Sequence, residues 1–189
     1  MKKIVLAAVF ICALSVPAFA REAYVAITSG IWMPDKTNYL NSSFNPADAT
    51  YDSGWLIGGA YGVSTGKNLR IETELSYRQA PAKGNSNDSW ALGMLVNLWY
   101  DFKNSSIFTP YAGGGLGFGH SHVSSPGPVD HTGSGLAYQA GGGVDIRIAQ
   151  KLSLDVGYRY FGVADTSNSN NTSTDIDGST IIGGVRMRF

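Results

Sequence analysis

Three histidines are the residues of this chain with the widest choice of chemistry. His120, His122 and His131 fall within one short stretch, and Asp130 precedes the last of them. A His-x-His pair and a third imidazole could hold zinc or copper, whereas histidines in an exposed loop need no ligand. Because no cysteine or fixed geometry supports such a site, we treat metal as the lesser interpretation and predict no cofactor.

Two other combinations could support nucleophilic or acid–base chemistry. His122 stands two residues before Ser124, where an imidazole could activate a hydroxyl if a carboxylate oriented it. The pair lies beside Pro126 in a loop-like stretch, and no carboxylate stands out as its partner. Glu72 and Glu74 share one face of a strand, but neighbouring arginines would keep both ionised. We therefore predict no catalytic residues and no enzyme.

The elements that would position these residues are β-strands. Apolar and polar residues alternate with a period of two in segments 69–78, 89–102 and 152–161, and more weakly in 24–33, 54–63, 108–119, 135–148 and 179–189. These eight segments are longer than the roughly 5 or 6 residues of an ordinary strand. They match the roughly 9 to 11 residues with which a tilted strand crosses a bilayer.

The connections between the predicted strands alternate in length. They are short at 64–68, 103–107 and 149–151, intermediate at 80–88, and long at 34–53, 120–134 and 162–178. Membrane barrels sort their connections in this way, with short periplasmic turns and longer outer loops. The pattern predicts an all-β, eight-stranded, antiparallel up-and-down transmembrane β-barrel.

The N-terminus has the features of an export signal. Lys2 and Lys3 precede an apolar run that ends in Ala18-Phe19-Ala20, which predicts a cleaved signal peptide at 1–20 and a barrel domain at 21–189. The single cysteine, Cys12, lies inside that signal, so disulfides have no part in the domain. With 14 basic and 14 acidic residues, the chain has no basic footprint for nucleic acid.

The polar face of the strands decides which side is the inside. It carries arginines and carboxylates, the pair suited to buried bidentate contacts, rather than the lysines common on solvated surfaces. We therefore predict a charge network within a bore that side chains fill; a soluble barrel with the faces exchanged is the alternative. The predicted network comprises Arg70, Glu72, Glu74, Arg78, Asp101, Asp145, Arg147, Asp155, Arg159, Arg186 and Arg188.

Aromatic and glycine residues extend this interpretation. Aromatic side chains near strand ends would form interfacial girdles, and glycines within strands would leave room for large lumen residues. The aromatic residues are Trp32, Tyr77, Trp90, Tyr100, Phe102, Tyr111, Phe118, Tyr158, Tyr160 and Phe189, and the glycines are Gly58, Gly59, Gly113, Gly114, Gly115, Gly117, Gly141, Gly142, Gly143, Gly183 and Gly184.

Several segments carry a resemblance to a known family. They are 97–102 (NLWYDF), 109–117 (TPYAGGGLG), 137–144 (AYQAGGGV), 152–161 (LSLDVGYRYF) and the terminal Phe189 on an alternating strand. The chain resembles the outer-membrane β-barrel superfamily that includes opacity-type proteins and small surface antigens. A terminal aromatic of this kind resembles the assembly signal of outer-membrane barrels, so we predict that role for Phe189.

The resemblance implies a place and a set of partners. It predicts a monomer in the outer membrane of a Gram-negative bacterium, in contact with lipid and lipopolysaccharide, and the barrel assembly machinery during biogenesis. It implies a structural or surface-interaction role, adhesin-like or antigen-like, with four extracellular loops open to a host or cell-surface ligand. A narrow porin-like channel is the alternative. The spacing of His122 and Ser124 also matches barrel enzymes that deacylate lipid A, which require a rigid lipid-facing wall.

Overall fold

The computed structural model describes residues 22–35, 37–40, 46–49, 52–81, 88–123, 131–165 and 176–189. The signal-peptide prediction at 1–20 lies outside them. Within the described ranges, no helix is long and apolar enough to cross a membrane. The strands are β1 (Glu22–Pro34), β2 (Thr37–Leu40), β3 (Pro46–Ala49), β4 (Gly54–Ser64), β5 (Leu69–Pro81), β6 (Asp88–Asp101), β7 (Phe108–Val123), β8 (His131–Arg147), β9 (Leu152–Asp165) and β10 (Ile176–Arg188).

Eight of these strands form one closed barrel. Strand β1 and strands β4 to β10 pair antiparallel in chain order, and β1 closes the ring by pairing with β10. The closing register runs from Tyr24 opposite Arg188 to Pro34 opposite Gly178. Strands β2 and β3 form a separate hairpin inside a segment that we predicted as a loop. The eight-stranded antiparallel barrel predicted from the sequence is confirmed.

The two faces of the wall are inverted relative to a soluble barrel. Ile27 is 69% exposed and Leu116 61% exposed on the outside, while Glu72, Arg78 and other charged residues are buried inside. An outward apolar surface that encircles the molecule needs a nonpolar solvent around it. The alternative of a soluble barrel with its apolar face inward is therefore wrong.

Strands β7 and β8 are longer than predicted, which corrects the position of the histidines. Strand β7 continues to Val123, so His120 and His122 lie on a strand and not in a loop, and His131 is the first residue of β8. Beyond Phe118, the outward positions of β7 are occupied by His120 and His122. Because these side chains are polar, hydropathy alone does not show the period of two there. The side chain of His131 lies outside the described parts.

Three tight turns lie at the end of the barrel that also holds both ends of the described chain. They span residues 65–68, 102–107 and 148–151. Gly66 has φ 79°, which favours glycine. In the second turn, the Asn104 side chain accepts from the Ser106 N–H at 2.8 Å and donates to the Phe108 carbonyl at 2.9 Å. Their shortness predicts that these turns lie at the periplasmic end.

Closure at the C-terminus leads to a prediction about Phe189. Its N–H donates to the Ala23 carbonyl at 3.0 Å, while its side chain is 58% exposed on the apolar surface. Deleting Phe189 removes little packing from the finished barrel, so the purified variant should still fold in detergent. If the assembly machinery reads this aromatic residue, the variant should accumulate in the periplasm or be degraded in cells, as measured by fractionation and by gel mobility before and after boiling.

Met187→Ala is the matched control for this deletion. Met187 is the preceding outward residue of β10, is 53% exposed, and its substitution leaves the terminal aromatic in place. We expect it to assemble like the wild type. Normal surface levels of the Phe189 deletion would contradict the proposed signal.

Candidate functional site in the barrel lumen

The outer half of the lumen is closed by an apolar cluster. Trp32 and Phe161 meet edge to face with ring centroids 6.1 Å apart. Leu95 and Val163, each 1% exposed, pack into the same cluster. Four further members complete it: Ala80, Ala91, Ala137 and Ile176. This half of the bore is therefore filled by side chains.

Arg78 is embedded in this apolar cluster. It is 1% exposed, and its guanidinium carbon lies 3.5 Å from the Phe161 ring centroid and 5.4 Å from that of Trp32. Its Nη1 donates to Ser76 Oγ at 3.1 Å. Among the described residues, no carboxylate oxygen lies within 4.0 Å of it. Aromatic faces thus replace a counterion around this cation.

Below the apolar cluster, Glu74 is the centre of a buried polar layer. Its Oε2 accepts from Arg159 Nη1 at 2.6 Å, from Gln139 Nε2 at 2.8 Å and from Asn97 Nδ2 at 2.9 Å. Gln139 also donates to Asn97 Oδ1 at 2.7 Å, which joins the two amides. The carboxylate is therefore held by one charged and two neutral donors from three other strands.

Glu72 is held differently from Glu74. It is 2% exposed and, among the described residues, accepts only from neutral groups: the Tyr24 hydroxyl at 2.8 Å, Trp99 Nε1 at 3.2 Å and Asn97 Nδ2 at 3.3 Å. The nearby cation, Arg70, contacts the Tyr24 hydroxyl at 3.1 Å instead. Glu72 is thus a buried carboxylate whose hydrogen bonds come from uncharged partners.

The half of the lumen next to the tight turns contains the densest ion pairing. Arg70 Nε lies 2.8 and 2.9 Å from the two oxygens of Asp101. Arg186 bridges two carboxylates, with a close contact from Nη1 to Asp145 and 2.8 Å from Nη2 to Asp155. These side chains are nearly inaccessible, so the pairing takes place away from bulk water.

Two more groups extend this pairing around Asp145 and Asp155. Arg188 Nη2 donates to Asp145 at 2.9 Å, and the Tyr111 hydroxyl donates to Asp155 at 2.6 Å. Each carboxylate therefore has two partners.

The structure brings most of the predicted charged residues together in the lumen, with one exception. Arg147 is exposed and donates from Nη2 to the Ser106 carbonyl at 3.3 Å. The alternation does put it on the lumen side, but it is the last residue of β8, where solvent reaches the end of the barrel. The residues placed inside are Arg70, Glu72, Glu74, Arg78, Asp101, Asp145, Asp155, Arg159 and Arg186, with Arg188 partly buried.

Several lumen residues escaped the sequence analysis. Trp32 and Tyr111 were expected in the girdles, but they are 1% and 3% exposed inside the barrel. The neutral residues Tyr24, Asn97 and Gln139 were not named as members of the predicted lumen network. A stricter use of the strand period would have found Tyr24, because Val25 and Ile27 fix the phase of β1. Because the outer face of the wall contacts lipid, the polar side chains of Asn97 and Gln139 must also point inward.

Glycines on the lumen side make room for these side chains. A Cβ at Gly115 would lie 2.0 Å from Asn97 Oδ1, and one at Gly143 would lie 2.8 Å from the Tyr111 hydroxyl. By contrast, Gly183 faces outward with open space around it, and the space-making role does not apply there.

A ladder of rings lies on the outward face at the end opposite the tight turns. Trp55 and Tyr77 are 5.5 Å apart, Tyr77 stacks on Trp90 at 6.1 Å, and Trp90 contacts His120 at 5.4 Å and His122 at 6.0 Å. These rings cross four adjacent strands at the upper limit of the apolar surface. At the lower limit, Tyr100 and Phe102 pack 5.1 Å apart. Two aromatic bands therefore flank the apolar wall.

The histidines of the ladder have local partners of their own. His120 Nδ1 lies 2.7 Å from Ser134 Oγ, and His122 Nδ1 lies 3.1 Å from Thr132 Oγ1. Across the described residues, no three side chains of His, Cys, Asp or Glu form a group that could hold a metal ion. Ser124, the partner that esterase chemistry would need for His122, lies outside the described ranges.

Comparison with known proteins agrees with this architecture. Residues 5–189 match the family model described as outer membrane protein beta-barrel domain. Over 86 residues the chain is 31% identical to the outer membrane protein PagN of Salmonella typhimurium, which covers 41% of this chain and 36% of PagN. The match thus spans about a third of that relative's length.

Two crystal structures share the fold at low identity. Neisserial surface protein A (NspA) aligns with a TM-score of 0.64 and 20% identity, covering 89% of this chain and 97% of that one. OprG from Pseudomonas aeruginosa aligns with a TM-score of 0.61 and 17% identity, covering 90% and 97%. At these identities the likeness extends to the fold and not to a particular activity.

The lumen contacts predict a large difference between two arginine substitutions. Arg159→Ala should strand the buried Glu74 carboxylate and cost about 3 to 5 kcal/mol, as removal of one partner of a buried pair does. Arg147→Ala, the matched control at the solvated end of β8, should leave stability nearly unchanged. Urea unfolding monitored by tryptophan fluorescence in detergent checks both. Equal unfolding midpoints for the two variants would mean that the lumen charges are solvated.

Proposed function

The chain belongs to the outer membrane protein β-barrel family and resides in the outer membrane, and we propose that it is a surface-interaction protein. In this proposal the barrel is a filled scaffold, and its four connections at the end opposite the tight turns are displayed to the outside. The observation that carries it is the closed lumen. A wall whose interior is occupied by its own side chains offers its loops and rim, rather than a passage, to other molecules.

The layers of the lumen support this choice over a pore. Trp32, Phe161 and Leu95 fill the outer half at 0 to 1% exposure, and Glu74 with Asn97 fills the middle at 2% and 0%. A solute would have to displace both an apolar cluster and a buried ion pair. An eight-stranded barrel has a bore that side chains can fill completely. The narrow porin-like channel therefore remains the second candidate.

The structure of the barrel rim opposite the tight turns supports the display of these loops. Strands β7 and β8 remain paired up to Val123 opposite His131, beyond the level where Trp90 meets His120. The connections 35–53, 82–87, 124–130 and 166–175 all leave from this end. A paired rim outside the aromatic band gives such loops a fixed base. The structurally similar NspA is itself named a surface protein.

Conductance separates the two candidates. We expect the purified wild-type barrel in a planar bilayer to show no reproducible unitary steps, because the lumen is filled. Trp32→Gly combined with Phe161→Gly should raise the current noise by thinning the outer layer. Tyr160→Gly, the outward neighbour on β9, is the control and should behave as the wild type. Regular unitary steps from the wild-type barrel would favour the channel.

A loop-replacement variant tests the surface role directly. Cells that express the full chain should adhere to a cultured epithelial monolayer more than vector-only cells do. Replacing the connections 124–130 and 166–175 by short Gly-Ser turns should abolish this gain while the barrel still shifts in a gel on boiling. Adhesion equal to that of vector-only cells, for the full chain, would contradict the adhesin-like role.

Topology is the control for that experiment. An epitope inserted at Asn170, which lies outside the described residues, should bind antibody on intact cells. One inserted at Gly66 should bind only after permeabilisation, since its turn is assigned to the periplasmic end. The reverse pattern would invert the barrel and exclude the displayed loops from any outside contact.

A further inference from the structure

A vestibule opens into the barrel at the end that carries the three tight turns. Its volume is about 300 Å³, and its lining includes Arg70, Arg186 and Arg188 from the strands, with Lys103, Asn104 and Gln150 from the turns. At about 30 Å³ per water molecule, this space holds roughly ten waters. It is therefore large enough for a small polyatomic ion at the mouth of an otherwise filled bore.

The vestibule has an excess of positive charge. Its lining includes three carboxylates, and each lies near an arginine: Asp101 with Arg70, Asp145 with Arg186 and Arg188, and Glu22 with Arg188 at 3.9 Å.

The two remaining cations of the lining have no such partner. The Lys103 ammonium donates to the Lys67 carbonyl, and Arg147 donates to the Ser106 carbonyl. No carboxylate of the described residues lies within 4.0 Å of either side chain. The lining thus contains five cations and three carboxylates, and Asp155 beneath it pairs with Arg186, which leaves one net positive charge at the mouth. An enclosed mouth of this sign concentrates anions.

Hydrogen-bond donors are also left over beneath the lining. Arg70 Nη2 and Arg186 Nε are both buried and have no partner, although the other nitrogens of these side chains are engaged. Buried polar groups of this kind are rare in folded proteins unless a further acceptor satisfies them. Both belong to residues that line the vestibule.

We propose that this vestibule binds the phosphate group, one per barrel, through Lys103 and Arg147 at its mouth, above the buried Arg70 and Arg186. A phosphate group offers several acceptor oxygens and a negative charge, which matches the unpaired cations at the mouth. Thr109 in the same lining adds a neutral donor. The group can come from free inorganic phosphate or from a lipid headgroup at the inner leaflet.

The test uses the full mature chain folded in a zwitterionic detergent that carries no phosphate. Inorganic phosphate is titrated by calorimetry in chloride buffer of constant ionic strength. We expect saturable binding with a stoichiometry of one. Lys103→Gln combined with Arg147→Gln should weaken it at least tenfold, since both side chains lie at the solvated mouth and their loss leaves the lumen pairs intact. Lys151→Gln, an exposed lysine of the third turn outside the lining, should bind like the wild type.

Arginine side-chain NMR separates binding in the vestibule from general ionic screening, because screening alone would not shift one arginine resonance in a saturable way. In a barrel labelled with ¹⁵N-arginine, the Arg186 Nε–H resonance should shift with phosphate in step with the calorimetric saturation. No saturable heat beyond that of chloride, or equal weakening by Lys151→Gln, would overturn the proposal. Saturable heat without a shift at Arg186 would overturn it as well, since binding would then lie elsewhere on the surface.

Two further arms identify the source of the phosphate group. Short-chain phosphatidylglycerol is added to the barrel saturated with inorganic phosphate. Displacement of phosphate assigns the site to a lipid headgroup. Retention of phosphate assigns it to a free oxyanion of the periplasm. Both results presuppose the saturable binding, so these two arms identify the source and do not decide whether the site exists.

Discussion

The rest of this structure depends on one constraint: an eight-stranded bore in lipid must be filled from within, and its charges must balance there. Apolar residues are needed outside, so the charged residues between the strand ends are directed inward, while Asp88 and Asp177 face outward only at the ends of β6 and β10. The formal charges of the lumen sum to zero, with Arg70, Arg78, Arg159, Arg186 and Arg188 against Glu72, Glu74, Asp101, Asp145 and Asp155. Buried ions that are paired avoid most of the penalty that isolated ions would pay.

The balance is global rather than pairwise, and this shapes the lumen. Arg78 is held by aromatic faces in the outer half, whereas Glu72 is held by a tyrosine, a tryptophan and an asparagine in the middle. The inward placement of the charged residues also depends on the register in which the strands pair. A slip of one residue would place arginines in lipid and leucines in the lumen, so the charged lumen selects one pairing of the strands.

Strand number, order of pairing and the inverted faces could be predicted from the sequence because lipid enforces a strict period. Leu69 to Arg78 shows that period without interruption. This period is not a reliable guide at strand ends. There His120 and His122 are polar on the outside, and Arg147 is solvated although it lies on the inside face. For neutral residues such as Asn97 and Gln139, alternation indicates the inward face but not the hydrogen-bond partners, which come from other strands. Pairings such as Arg186 with Asp145 and Asp155 depend on side-chain reach across the bore, which alternation does not encode.

The most direct test of the filled lumen is to measure which side chains of a central strand face lipid and which face the interior. Spin labels placed one at a time from Ala91 to Leu98 on β6 report oxygen accessibility from lipid and accessibility to a polar nickel reagent from water. We expect high oxygen accessibility at Leu92, Met94, Val96 and Leu98, and low accessibility to both reagents at Ala91, Gly93, Leu95 and Asn97. High accessibility to the nickel reagent at the second set would reveal a water-filled lumen and contradict the account.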